Sequence, residues 1–200
     1  MNSSVVLARL ADEFSSAIPA VDAEAEHSRW QAGIGPFEEE RQIEMITQAI
    51  EEDVLYSIET EEPYLNRRER CDLFVRTDSA EIPIEAKLIR FRYDNGNIDP
   101  NSFAKVFSPF PEHSSSSLLT DSQKLRESNF EHEGGLLGLY YEAIDEKYTQ
   151  MKAEAVAEKF RLDVDYWCDF EVETRNVAHF TGLCHPIHQQ GAVITWEIME

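Results

Sequence analysis

The stretch that decides the fold runs from Asn66 to Arg92, NRRERCDLFVRTDSAEIPIEAKLIRFR. Read with a period of two, Cys71, Leu73 and Val75 share one face of a strand, and Asp72, Phe74 and Arg76 share the other. After a turn around Asp78-Ser79-Ala80, Ile82, Ile84, Ala86 and Leu88 form a second apolar face. Glu85 and Lys87 are then left together on the opposite one. Two such strands joined by a tight turn predict a hairpin. Symmetry about Asp78 and Ser79 pairs Val75 with Ile82, Leu73 with Ile84 and Asp72 with Glu85.

That register sets two carboxylates opposite each other in an apolar hairpin. Like charges facing across a sheet are destabilising, so a positive group is expected between them. A divalent cation fits. Oxygen ligands from two acidic residues, completed by water and phosphate, suit Mg²⁺ or Mn²⁺ rather than zinc. Lys87, two residues along on the same face, is placed beside the metal, where an ammonium orients water or stabilises charge on a phosphate oxygen.

Asp72, twelve intervening residues and Glu85-Ala86-Lys87 resemble the active-site core of the PD-(D/E)xK nucleases, the restriction-endonuclease-like superfamily. The resemblance covers Cys71-Asp72 and Ile84-Glu85-Ala86-Lys87, with Cys71 standing where the motif has its proline. It implies an α/β (α+β) fold with a mixed central β-sheet flanked by helices, and a Mg²⁺- or Mn²⁺-dependent nuclease acting on DNA ahead of RNA. Asp72 and Glu85 would hold the metal together with the Ala86 carbonyl, and Lys87 would position or activate the attacking water. Roles in restriction or other anti-phage defence, and a homodimer, follow by analogy alone.

The chain of 200 residues, 42% hydrophobic, is long enough to bury a substantial core and is read as one domain over residues 1–200. Three widely spaced cysteines, Cys71, Cys168 and Cys184, argue against a disulfide framework and for a reducing compartment, the cytoplasm. No run approaches membrane-spanning length. A net charge of -21 repels nucleic acid in bulk. From Arg67 to Lys105, however, eight basic residues stand against seven acidic ones. Arg67, Arg68, Arg70, Arg90, Arg92 and Lys105 are the candidate phosphate contacts, and an ordinary mixed-charge hairpin surface is the plain alternative. A protein partner supplying DNA affinity is compatible with this balance.

The rest of the chain is read around the hairpin. A helix is expected over 4–18, within an N-terminal helical extension 1–30, with Pro19 as its stop. A second helix over about 36–53 carries the stripe Ile43, Ile46 and Ile50, and a step of four residues back puts Glu39 on it. In the superfamily a Glu from the helix before the core sheet joins the site, a role assigned to Glu39 with Glu40 as second choice. Equally, Glu38-Glu39-Glu40 suits a first helical turn. A strand over 54–60 precedes the hairpin.

Residues 93–117 read as a long loop whose Phe103, Phe107, Phe110 and His113 either line a groove or pin the loop to the core. Asp94-Asn95-Gly96-Asn97-Ile98-Asp99 is rejected as a calcium loop because its twelfth position is Lys105. The segment 116–127 offers Lys124 either to phosphate or to solvent.

Leu136–Tyr141 reads as a buried strand, 142–160 as a helix, and 162–172 as a strand with an apolar and an acidic face. Ala192–Ile198 closes the sheet. Cys184, His185 and His188 lack structural-zinc spacing and are assigned to local packing. The competing function is a non-catalytic acidic interaction protein, a DNA mimic or an inhibitor of a basic partner, supported by the net charge and the acidic strand face.

Overall fold

The hairpin forms in the expected register. In the computed structural model, which describes residues 2–27, 29, 32–50, 56–63, 70–93, 95–112, 114, 116–128, 134–142 and 151–199, β2 (Arg70–Arg76) and β3 (Glu81–Arg90) pair antiparallel through Leu73 with Ile84 and Val75 with Ile82. Thr77 makes the turn. Its N–H donates to the Ala80 carbonyl at 2.8 Å, and its Oγ1 accepts from the N–H groups of Ser79 and Ala80.

Around this hairpin the described residues form a six-stranded mixed sheet in the order β1-β2-β3-β4-β6-β5. It comprises β1 (Ser57–Pro63), β4 (Gly135–Tyr141), β5 (Val172–Thr181) and β6 (Gln190–Ile198) besides the hairpin. β3 and β4 are its parallel pair. A parallel neighbour demands a crossover, and residues 91–134 supply it with α3 (Ser102–Phe107) and α4 (Leu118–Arg126). The fold is thus α+β, with helices on both faces of the sheet.

One face is covered by α1 (Ser3–Glu24) and α2 (Glu39–Ile50), which bury Leu7, Leu10, Phe14, Ile43 and Ile46 against Leu73, Val75, Ile84, Leu137 and Val193. The other carries α3, α4 and α5 (Ala153–Trp167), with Phe107, Leu119, Phe160 and Val164 against Ile89, Tyr140, Ile194 and Trp196. The alternation of side chains along each strand supplies both apolar faces at once.

Several expectations change. Pro19 lies inside α1 and does not end it. An interior proline costs about 3 kcal/mol, yet the apolar stripe continues through Ile18 to Val21 and buries Asp22, so packing on the sheet carries the helix through. α2 begins at Glu39, three residues later than expected. β1 begins at Ser57; the earlier part of the expected strand, 54–55, lies outside the described residues, as does 143–150 of the helix expected over 142–160.

The largest correction concerns 162–172. Its alternation belongs to a helix: α5 runs on to Trp167 and closes with the Cys168 N–H on the Val164 carbonyl at 2.9 Å. Val156, Phe160 and Val164, spaced by four, are buried, whereas Leu162 is 48% and Tyr166 77% exposed. There is accordingly no acidic strand face at Asp163, Asp165, Asp169 and Glu171. The strand at this edge of the sheet is β5, a polar segment with an irregularity between Thr174 and Asn176.

Residues 93–117 are not wholly irregular, since they contain α3. Phe103 stacks on Phe91 with ring centroids 4.8 Å apart, and Phe107 is buried, so these aromatics pin the segment to the core. Phe110 packs edge-on against Trp167, and His113 lies outside the described residues. His185 and His188 are buried and stacked at 4.8 Å, with His185 Nδ1 accepting from the N–H groups of Ile187 and His188. The two rings pack against each other, and His188 packs against Tyr141.

Candidate active site

β3 is longer than the part of β2 that pairs with it. The ladder runs from Arg76 opposite Glu81 to Leu73 opposite Ile84 and goes no further, while β4 stays paired with β3 on the other side as far as Arg90. Beyond Ile84 the edge of β3 that faces β2 needs other partners, because buried backbone N–H groups must be satisfied. Carboxylates provide them. The Ala86 N–H donates to Asp72 Oδ2 at 2.7 Å, and the Leu88 N–H donates to Glu39 Oε2.

The expected confrontation of Asp72 and Glu85 therefore occurs through side chains rather than as a ladder pair, with Glu85 close enough to act on the protonation of Asp72. Burial raises the pKa of Asp72, and neither the Ala86 N–H, Glu85 nor Lys87 fully offsets it. Cys71, buried beside them, has its thiol pushed up to about 12 by burial and by the charge of Glu85. It is an inert neighbour, not a nucleophile.

Glu85 and Lys87 are only 7% and 9% exposed, so each requires partners. The Lys87 ammonium lies 3.2 Å from Glu39 Oε1 and 3.1 Å from Asp121 Oδ2. Burial alone would lower its pKa, but the charges of Glu39 and Asp121 outweigh that and raise it. Asp121 in turn holds Lys124 Nζ at 2.9 Å through Oδ1. It is presented by the first turn of α4, which Ser117 caps by accepting the Thr120 N–H at 3.1 Å. The first residue of α2, the middle of β3 and the first turn of α4 thus converge on one ammonium group.

The structure brings Asp72, Glu85, Ala86, Lys87, Glu39 and Lys124 together and adds Asp121, which the sequence reading passed over. Its one sequence signal was an acidic residue three positions before Lys124 and four after the capping Ser117. Glu39, not Glu40, reaches Lys87; Glu40 is exposed. Of the expected phosphate contacts, Arg90 and Arg92 donate to the carbonyls of Gly35 and Gly96 at 2.6 and 2.5 Å. Lys105 pairs with Asp99 at 3.4 Å. Arg70 opens β2 and is exposed, while Arg67 and Arg68 lie outside the described residues.

Two clefts meet at Glu39. One, of about 380 Å³, is lined by Glu39, Glu40, Ile43, Glu44, Thr60 and Asp72. The other, of about 340 Å³, has Lys87, Arg90, Arg92, Tyr93, Ser102 and Lys105 among its walls, together with Glu38 and Asp99.

Asp72 and Glu85 suit a hard divalent cation by donor chemistry. Two neighbouring carboxyls repel each other less with a proton or a cation between them, and all their donor atoms are oxygen. Within a strand the N–H and C=O of one residue face the same neighbour, so the Ala86 carbonyl lies on the same open edge as the Ala86 N–H bonded to Asp72. Among the described residues no group of three or more His, Cys, Asp or Glu side chains converges as a metal-binding cluster, so this donor set is two carboxylates and a carbonyl. No family model, curated protein or solved structure matches the chain. Among the described residues no helix is long and apolar enough to cross a membrane.

Proposed function

We propose that this protein is a divalent-metal-dependent nuclease that hydrolyses phosphodiester bonds, with DNA as the favoured substrate, on a restriction-endonuclease-like fold. The observation that carries the reading is the departure of β2 from β3 after Leu73. There Asp72 crosses to the Ala86 N–H and meets Glu85, with Lys87 two residues further along. Two oxygen-donor carboxylates and a buried ammonium at one strand edge are what a metal-assisted displacement at phosphorus requires.

In this reading Asp72, Glu85 and the Ala86 carbonyl hold Mg²⁺ or Mn²⁺, which when bound lowers the pKa of a coordinated water and offsets charge on the phosphate. Lys87 acts as a fixed cation. Its raised pKa keeps the ammonium protonated across the working range, so it stabilises negative charge on a phosphate oxygen and orients water instead of removing a proton. Glu39 and Asp121 hold Lys87 from two sides and limit its movement. Three free thiols among the described residues fit a reducing cytoplasm.

The test is incubation of the purified protein with supercoiled plasmid and with labelled single strands in Mg²⁺, Mn²⁺ or EDTA, beside Asp72→Asn and Lys87→Ala. Cleavage that needs metal and is lost in both variants is expected. Cleavage that survives in both belongs to a contaminant. Its absence for the wild type under every condition would overturn the enzyme reading in favour of an acidic binding protein.

A further inference from the structure

The second cleft differs from the first in what it can bind. Lys87, Arg90, Arg92 and Lys105 line it against Glu38, Glu39 and Asp99, a local excess of one positive charge on a chain whose total is -21. A polyanion is thus repelled by most of this protein and attracted here. The walls are held in place. Arg90 is hung on the Gly35 carbonyl at 2.6 Å and Arg92 on the Gly96 carbonyl at 2.5 Å. Ser102 ties α3 to β3 by donating to the Arg90 carbonyl at 2.8 Å. The Lys105 side chain, 66% exposed, leans on Asp99.

Tyr93 adds an aromatic ring at this rim, 45% exposed, whose hydroxyl donates to Asp99 Oδ1 at 3.0 Å. The Asp99 carboxyl is itself fixed: burial would raise its pKa, but the Asn101 N–H, Tyr93 and Ser102 hold it below the usual range. Anchored guanidinium groups recognise phosphate, and a fixed aromatic face takes a base. The volume of about 340 Å³ lies at the small end for ligand sites, enough for one nucleotide unit and not for a duplex groove.

We propose that this cleft is a subsite for the phosphorylated end of a DNA strand, in which Arg90, Arg92 and Lys105 take the terminal phosphate and Tyr93 supports the adjoining base. The assignment rests on the nuclease reading for its biological sense, since Lys87 forms the wall common to the cleft and the proposed reaction centre. It does not depend on that reading for its test.

Binding is measured in EDTA, where no metal-dependent cleavage can occur. Fluorescence anisotropy of the full chain follows short single-stranded DNAs, identical except for a 5′-phosphate, a 3′-phosphate or hydroxyl ends. One phosphorylated end is expected to bind about tenfold tighter than the hydroxyl-ended strand. The preference is expected to vanish in Arg92→Gln/Lys105→Gln, two side chains outside the buried core, with the melting temperature confirming the fold. Equal affinity for all three strands, or a preference that survives in the double variant, would overturn the proposal. So would competition by a free nucleoside monophosphate as strong as that of the phosphorylated strand, which would make the site one for free nucleotide. Loss of cleavage with retained end preference would sink the nuclease reading and leave this one standing.

Discussion

Glu39 stands between two clefts of opposite character. On the α2 side its neighbours are Glu40, Glu44 and Asp72; on the far side Lys87, Arg90, Arg92 and Lys105 outnumber Glu38 and Asp99. The contrast arises because α2 and β2 contribute carboxylates, whereas the end of β3 and α3 contribute cations. A metal-assisted attack on phosphate needs both signs within reach of one another, and a single strand edge with different neighbours on its two sides supplies them. On the acidic side Glu44 pairs with Arg41, and burial raises the pKa of Asp72 beyond what the Ala86 N–H and Lys87 offset. The basic cleft has carboxylates at each ammonium, Glu39 and Asp121 for Lys87 and Asp99 for Lys105.

The contrast breaks most severely at Lys87. Lys87→Ala removes one of the two cations on Asp121, whose side chain is 3% exposed and which keeps Lys124. Breaking a buried pair outright typically costs about 3–5 kcal/mol, so with Lys124 still in place a smaller loss is expected in urea unfolding, while cleavage is expected to fall by about 10²–10³-fold.

Asp72→Asn acts on the acidic side with the opposite effect on stability. Because the pKa of Asp72 is raised in the fold, the folded chain holds that proton to higher pH than the unfolded chain does. Wild-type stability therefore falls as pH rises from the unfolded value of about 3.9 through the folded one, and the loss persists at neutral pH. The variant keeps an acceptor for the Ala86 N–H without the charge. It should be inactive yet melt higher than wild type without metal, by a margin that grows between acid and neutral pH. Mg²⁺ at about 100 times its dissociation constant should stabilise the wild type by about 2.7 kcal/mol and leave Asp72→Asn unmoved.

Asp121→Asn sharpens the comparison at Lys87 itself. With one of its two carboxylate partners neutral, Lys87 is less firmly positioned. Cleavage is expected to drop on the order of 10-fold, with the shape of the pH–rate profile kept, since the lysine is a fixed cation across the working range. The smallest effect belongs to Glu40→Gln, an exposed change expected to alter stability by less than about 0.5 kcal/mol. Glu39→Gln should exceed it in both cleavage and melting, and the reverse order would reassign the helix contribution.

The hairpin was legible because its two apolar faces alternate over consecutive residues and Thr77-Asp78-Ser79-Ala80 closes them in one register. The first half of α5, up to Phe160, was read as helix, but its end was misread for the same kind of reason. Leu162, Val164, Tyr166, Cys168 and Phe170 alternate as well, but Val156, Phe160 and Val164 are the positions that meet Trp196 and Ile194, and that choice is made by the sheet. β5 escaped notice because Glu173-Thr174-Arg175-Asn176 shows no apolar alternation; β6 pairs with it through the backbone. Glu39 was found through its place on the α2 stripe. Asp121 was not, since nothing local distinguishes it from any acid in a first helical turn.

By itself the sequence determined the central hairpin, its register, the carboxylates and lysine that one face presents, and the buried strand over Leu136–Tyr141 that lies beside it. Short-range periodicity suffices for these, because side chains two apart in a strand share a face whatever surrounds them. Tertiary structure alone decided that β2 leaves β3 after Leu73, that Asp72 and Glu39 take the backbone donors exposed there, and that α4 delivers Asp121 to Lys87 across 34 positions of chain. Those contacts depend on where separate elements pack, and local spacing carries no record of that.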